Sequence, residues 1–341
     1  MDLLKNKNSL GGGGRINYLD ALKCLGILLV IEGHVWDLGM GIKTYDSLSG
    51  LMLYSFNMPI FFFVSGFLTY RAIRPSTSES LRRIWQKFVC LVIPALAFFV
   101  FRSLQTNDNP LGLFTEGSGG YWFTITLWEC FLIYYLVVCL FPKGKIQDVV
   151  LIGASLVGVA FLSLVGEWGP RLLDLNRLSK YFQFFAMGVL AMKYSESYER
   201  IMHNDVLKAL ALIVFFAILF TINYDIWPGA VFHFMRDIIL RYLGTYIVIS
   251  WFVCHSDMFD RDTETNRVIM DIGKKSLAIY LLQYFFIPDF KAYTLWLVGM
   301  DGFTVHVISF VYTSIIVATC YVFISFLSNS SLIKKYILGQ K

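Results

Sequence analysis

Apolar residues in this chain gather into long runs separated by short polar segments, with no strand-like alternation. Ten such runs lie approximately at 17–36, 48–70, 86–104, 121–141, 147–166, 179–194, 206–224, 235–254, 271–288 and 304–327. About 20 residues at ~1.5 Å each cover roughly 30 Å, the thickness of a hydrocarbon core. In that solvent a spanning segment must satisfy its own backbone hydrogen bonds, so each run predicts a helix. The expected fold is an all-α integral membrane protein, a polytopic bundle of about ten transmembrane helices. The run at 179–194 is short enough to be tilted or partly interfacial.

Composition points the same way: 57% of residues are hydrophobic and 16% charged, whereas a soluble domain carries about 25% charged residues. The net charge of +5 does not indicate nucleic acid, because the basic residues sit in short segments between runs. With the N-terminus inside, the inner segments collect Lys5, Lys7, Arg15, Arg71, Arg74, Arg82, Arg83, Lys87 and most of the other cations. The outer ones hold Lys43, Arg171, Arg177, Lys180 and Lys291. That bias predicts an N-in/C-in topology. The domains expected are a cytoplasmic tail at 1–16, a membrane domain at 17–327 and a second cytoplasmic tail at 328–341. The first run is expected to act as an uncleaved signal. The basic stretch from Arg71 to Arg83 suits either an anionic leaflet or a phosphorylated cytosolic ligand. The six cysteines lie in apolar runs without CxxC spacing, which reads as buried thiols and not a metal site.

Two residues change the picture. Lys23 and His34 lie on the first run, LDALKCLGILLVIEGHVW. Eleven helical positions amount to roughly 1100°, so both side chains share a face, about 16 Å apart along the axis. A cation and an imidazole at membrane depth are costly and mark a functional site. Asp20, one turn before Lys23, can pair with it. Glu32 points to a different face from His34. Elsewhere, Pro59 predicts a kink in the second run. Tyr121 and Trp122 open the fourth run as interfacial anchors, followed by Glu129, which is expected to pair with a buried cation. Asp237 and Arg241, four apart, are expected to pair, leaving Arg236 to point elsewhere and meet an anion. Arg102 is placed similarly. There is no P-loop, HExxH or GxSxG motif and no metal-ligand cluster.

Taken in order, these segments resemble the acyltransferase type 3 family of integral membrane O-acyltransferases. The first helix of that family carries Arg or Lys, ten residues, then His; here this is Lys23 to His34, preceded by Tyr18-Leu19-Asp20. Met58-Pro59-Ile60-Phe61-Phe62-Phe63-Val64-Ser65-Gly66-Phe67, Tyr121-Trp122-Phe123, Phe184-Phe185-Ala186-Met187-Gly188 and Gly273-Lys274-Lys275-Ser276-Leu277-Ala278-Ile279-Tyr280-Leu281 continue the likeness. Asn57 and Gln283 stand where many members have His; neither can shuttle a proton.

The resemblance implies transfer of an acyl group, usually acetyl from acetyl-CoA, to a sugar hydroxyl, with donor and acceptor on opposite sides of the membrane. His34 is then the base or a transient acyl carrier. Lys23 serves the donor and is oriented by Asp20. Arg102, Arg236, Asn57, Glu129 and Trp122 are candidates for substrate binding. Implied partners are acyl-CoA, a glycan or lipid-linked sugar and membrane lipids, in a bacterial inner membrane. Monomer or homodimer is left open. The rival reading is a secondary transporter or flippase, since buried ions also serve transport.

Overall fold

The computed structural model describes residues 16–43, 48–106, 109, 119–165, 175–221, 229–300, 302–330, 333 and 336–339, for 161–165 and 230–231 the backbone alone. Lys5, Lys7, Arg15, Arg171, Lys334, Lys335 and Lys341, which enter the topology argument, lie outside the described residues.

Among the described residues there are helices and turns and no strand. We label the long helices α1 (Asn17–His34), α2 (Leu48–Thr69), α3 (Thr77–Thr106), α4 (Trp122–Leu140), α5 (Lys145–Val165), α6 (Leu175–Lys193), α7 (Asp205–Thr221), α8 (Gly229–Cys254), α9 (Glu264–Leu282) and α10 (Gly302–Leu327). By length and composition, α2, α3, α4, α8 from Phe232, and α10 can each cross a membrane. The short helix Ser195–Met202 and α7, bent by 64°, form a sixth if taken as one span. The chain is thus an all-α membrane protein. Helices α1, α6 and α9 carry more charge than a lipid-facing span tolerates: Asp20, Lys23 and Glu32 on α1, Arg177, Lys180 and Lys193 on α6, and Asp271, Lys274 and Lys275 on α9.

Charge and position are linked through packing. Helix α1 lies inside the bundle against α2, α8, α9 and α10, with Leu19, Leu22, Ile27 and Ile31 almost fully buried. Its polar groups therefore meet protein and not acyl chains. Helices α7 and α10 turn apolar side chains outward, among them Ile213, Phe216, Phe220, Phe303, Phe310 and Phe326. Lipid is as apolar as these side chains, so leaving them exposed is not costly there.

Helices α2 and α6 cross closely. A Cβ on Gly66 would collide with the Phe185 carbonyl oxygen, and one on Gly188 with that of Phe63. Without side chains at these points the backbones touch, which places the aromatic residues of both helices around one core. Gly273 of α9 plays the same part against the Asp20 carbonyl of α1.

Pro59 lies inside α2, which continues through it as one helix. Two other local features depart from the expected pattern. Helix α1 does not stop after His34 but widens into a π-helical segment, Val35–Met40, closed by Gly41 in the left-handed region at φ 69°. Helix α9 starts earlier and ends sooner than the expected run at 271–288, passing after Leu282 into a 3-10 turn, Gln283–Phe285. Beyond the membrane core, the Arg71–Arg83 stretch is folded onto the end of α4. Arg74 donates to the carbonyls of Val138 (2.9 Å) and Cys139 (2.8 Å), a cationic cap for the last turn.

Candidate active site

Two cavities open beside α1, and Met58 of α2 lines both. The larger, of about 740 Å³, contains His34 together with Asp37, Arg102, Trp122, Arg177, Lys180, Tyr181 and Tyr284. The smaller, of about 240 Å³, contains Lys23 with Lys87 and Lys274 among mostly apolar side chains. The face shared by Lys23 and His34 thus meets two chambers, one per residue, with Met58 between them.

His34 is held by the turn that ends α9. Its Nδ1 lies 3.1 Å from Oε1 of Gln283, and the Gln283 amide nitrogen in turn donates to the Tyr280 carbonyl at 3.2 Å. The amide is thereby oriented with its oxygen toward the imidazole. An acceptor opposite Nδ1 assigns the ring proton to that nitrogen and leaves Nε2 with its lone pair. Nε2 sits 3.4 Å from the Tyr284 hydroxyl, whose own proton goes to the Gly120 carbonyl at 2.7 Å. Tyr280 donates to the same carbonyl. The basic nitrogen therefore lies beside the Tyr284 hydroxyl on a residue that lines the cavity, an arrangement that suits a general base.

The other walls are aromatic and cationic. The Arg102 guanidinium lies 4.8 Å from the centre of the Tyr284 ring, and that of Arg177 lies 4.7 Å from the Trp122 ring. Trp122 in turn stacks on Tyr181 at 5.3 Å. Asp37, three residues beyond His34, accepts from the Tyr54 hydroxyl at 2.7 Å.

The candidates from the sequence divide clearly. His34, Arg102 and Trp122 come together in the larger cavity. Lys23 lines the smaller one and pairs with Asp20 at 2.7 Å, one helical turn away. Glu32 faces away from His34 and accepts from His306 and Ser309 of α10, each at 3.2 Å. Asn57 and Glu129 line neither cavity. Asn57 is 2% exposed and its oxygen takes the backbone N–H of Met58 at 2.6 Å, while Glu129 is buried within α4.

The reading of α8 must be corrected. Asp237 pairs with its neighbour Arg236 at 2.9 Å, so Arg236 is the engaged cation and lies outside both cavities. Arg241 instead turns into the core, 5.7 Å from the centre of the Tyr181 ring. Helical spacing allowed an Asp237–Arg241 pair, but the burial of one face of α8 against the aromatic core draws Arg241 inward.

Tyr284, Asp37, Arg177, Lys180 and Tyr181 were not expected in the site. Asp37 is the one with a local signal, three residues after His34. The others reach the cavity only because α6 packs against α2 and the end of α9 lies beside α1.

Comparison with known proteins accords with this geometry. The model of the acyltransferase domain family matches residues 16–327. The nodulation protein NolL of Mesorhizobium japonicum is 28% identical over 199 residues, covering 53% of this chain and 48% of that protein. The chain thus matches about half the length of that curated relative. No solved structure matches. A family match that runs from before α1 to the end of α10 shows that this protein belongs to the acyltransferase type 3 family of membrane acyltransferases.

Proposed function

We propose that the protein moves an acyl group, acetyl in the first instance, from cytosolic acetyl-CoA to a sugar hydroxyl of an exported or surface glycan. It does so from the cytoplasmic membrane of a bacterium, as a ten-span bundle with both termini inside. The observation that carries this reading is the His34 side chain: Nδ1 on Gln283, Nε2 beside the Tyr284 hydroxyl at a cavity wall, and the lysine-lined chamber one residue, Met58, away.

The donor enters the smaller chamber, where Lys23, Lys87 and Lys274 suit its phosphates and the apolar lining suits its arm. Asp20 keeps Lys23 oriented. Its thioester reaches past Met58 toward His34. The acceptor hydroxyl lies in the larger cavity and gives its proton to Nε2. The hydroxyl oxygen attacks the thioester carbonyl, the carbon–sulfur bond breaks, and the imidazolium returns the proton to the departing thiolate. Arg102 and Trp122 form part of the acceptor wall. The same Nε2 can carry the acyl group itself; label retained on the protein when acceptor is withheld marks that variant.

The test is acyl transfer in membranes with labelled acetyl-CoA. His34→Ala should lower transfer to glycan by about a hundredfold or more, the range of general-base removal, at unchanged membrane level. Transfer retained at the wild-type rate refutes the assignment.

A further inference from the structure

We infer that the Tyr121 hydroxyl, together with the Arg102 guanidinium, stabilises the oxyanion that forms when the acyl carbonyl is attacked. This rests on the reading of the His34 cavity as the place of acyl transfer.

Tyr121 closes the short 3-10 turn Gly119–Tyr121 that leads into α4. As the first residue of an apolar run it reads as an interfacial anchor, yet in the structure it is 1% exposed. Its hydroxyl has no hydrogen-bond partner among the described residues. Two neighbouring tyrosines show how such a group is ordinarily satisfied at this spot, since Tyr280 and Tyr284 both donate to the Gly120 carbonyl. A buried hydroxyl that does not share in this is costly, and its use is sought in what it meets during function.

Among the described residues, Tyr121 alone combines a buried hydroxyl of this kind with a place in the lining of either cavity. It shares the larger one with His34, Arg102 and Tyr284. The Tyr284 ring brings the group together. Its centre lies 5.1 Å from that of the Tyr121 ring, 5.0 Å from that of His34 and 4.8 Å from the Arg102 guanidinium. Gly120 permits this, because a Cβ there would collide with Tyr284. The Arg102 charge acts on both the Tyr121 hydroxyl and the His34 imidazole.

The reaction needs such a pair. When the acceptor oxygen bonds to the thioester carbon, the π pair of the carbonyl moves onto the carbonyl oxygen. When the carbon–sulfur bond breaks, that pair returns. Donors fixed in a water-poor wall stabilise the charge in between without reorganising. His34 does not serve here: Nε2 takes the proton of the acceptor, and Nδ1 faces Gln283. Lys23 lines the other chamber. Tyr121 supplies an O–H and Arg102 a charge, and neither gives up its proton. Attack by Nε2 itself would raise the same oxyanion, so the assignment holds for both routes.

The experiment uses inverted membrane vesicles, which hold their own glycan and expose the cytoplasmic face to labelled acetyl-CoA over a range of concentrations. Wild type is compared with Tyr121→Phe, Arg102→Lys and Arg102→Gln, and the unfolding midpoint of each is measured in detergent. Tyr121→Phe keeps the ring and removes one oxygen. It should lower the maximal rate about a hundredfold or more, the scale of one lost oxyanion donor. The KM for acetyl-CoA and the shape of the pH profile, which belongs to His34, should not change. The unfolding midpoint should not fall, because the oxygen removed has no partner among the described residues. Arg102→Lys, which keeps the charge, should retain more of the rate than Arg102→Gln.

Transfer by Tyr121→Phe at the wild-type rate overturns the inference. So does a loss confined to KM, which would make the hydroxyl a contact of the bound donor, or a loss that comes with a lower unfolding midpoint, which would make it structural. In these three cases the label transferred by wild type leaves the acyltransfer reading intact. Wild type that transfers no label overturns that reading, and the inference falls with it.

Discussion

Gln283 determines which nitrogen of His34 is basic. The side chain is fully buried and bonded at both ends, to Nδ1 of His34 and to the Tyr280 carbonyl. From sequence it stands as a departure, a residue unable to move protons where many relatives have His. In the structure its task needs only an acceptor, which an amide supplies. Replacing it by Leu leaves a buried N–H unpaired, at about 1–3 kcal/mol, and frees the imidazole to adopt the wrong tautomer. Gln283→Leu should therefore lower the turnover rate about tenfold or more with the KM for donor unchanged. Gln283→His, which keeps an acceptor, should retain more of the rate. A loss of donor affinity in place of turnover would show that Gln283 acts elsewhere. At the same scale, Asn57 lay next to the Met-Pro pair and read as a substrate contact, but its bond to the Met58 N–H is a local choice that no spacing reveals.

At the scale of elements, small residues set how near the helices come. The motif glycines Gly66, Gly188 and Gly273 read in sequence as part of a family likeness, and their physical role is backbone contact at the crossings of α2 with α6 and α1 with α9. Gly188→Ala puts a methyl group onto the Phe63 carbonyl, and overpacking of this kind costs about 1–3 kcal/mol. The variant should unfold at lower temperature in detergent, while a control such as Gly153→Ala, where nothing lies within 4 Å of the added methyl, should not. An unchanged midpoint for Gly188→Ala would mean that the crossing yields easily. The π-helical segment after His34 is the other decisive element. It turns Asp37 and Leu38 toward the cavity, and an extra residue in the turn is invisible to a 3.6-residue period.

For the molecule as a whole, the arrangement amounts to two chambers beside a central helix with one flexible side chain between them. Methionine is unbranched and adaptable, so Met58 can fill the partition and still yield to a thioester. Met58→Trp should close the passage. Transfer would fall steeply, while acetyl-CoA binding on one side and acceptor binding on the other each persist. Transfer at the wild-type rate in that variant would place the route elsewhere. The membrane itself completes this scale: α7 and α10 keep apolar side chains outward, and the charged α1 is tolerated because the other helices surround it.

The all-α membrane class, the sites of the helices and the pairing of Asp20 with Lys23 were legible in the chain alone. Each depends on periodicity or on neighbours within a turn, and lipid leaves the backbone few alternatives. The face shared by Lys23 and His34 was legible for the same reason. What only the tertiary structure decided is everything that joins distant segments: Gln283 on His34 across 249 positions, Arg177 on Trp122, Arg241 turned inward while Asp237 takes Arg236, and the division of one helix face between two cavities. Those contacts depend on which sides of α6, α8 and α9 meet α1 and α2, and that choice is made by the close packing of side chains from the whole bundle, which no single stretch of sequence contains.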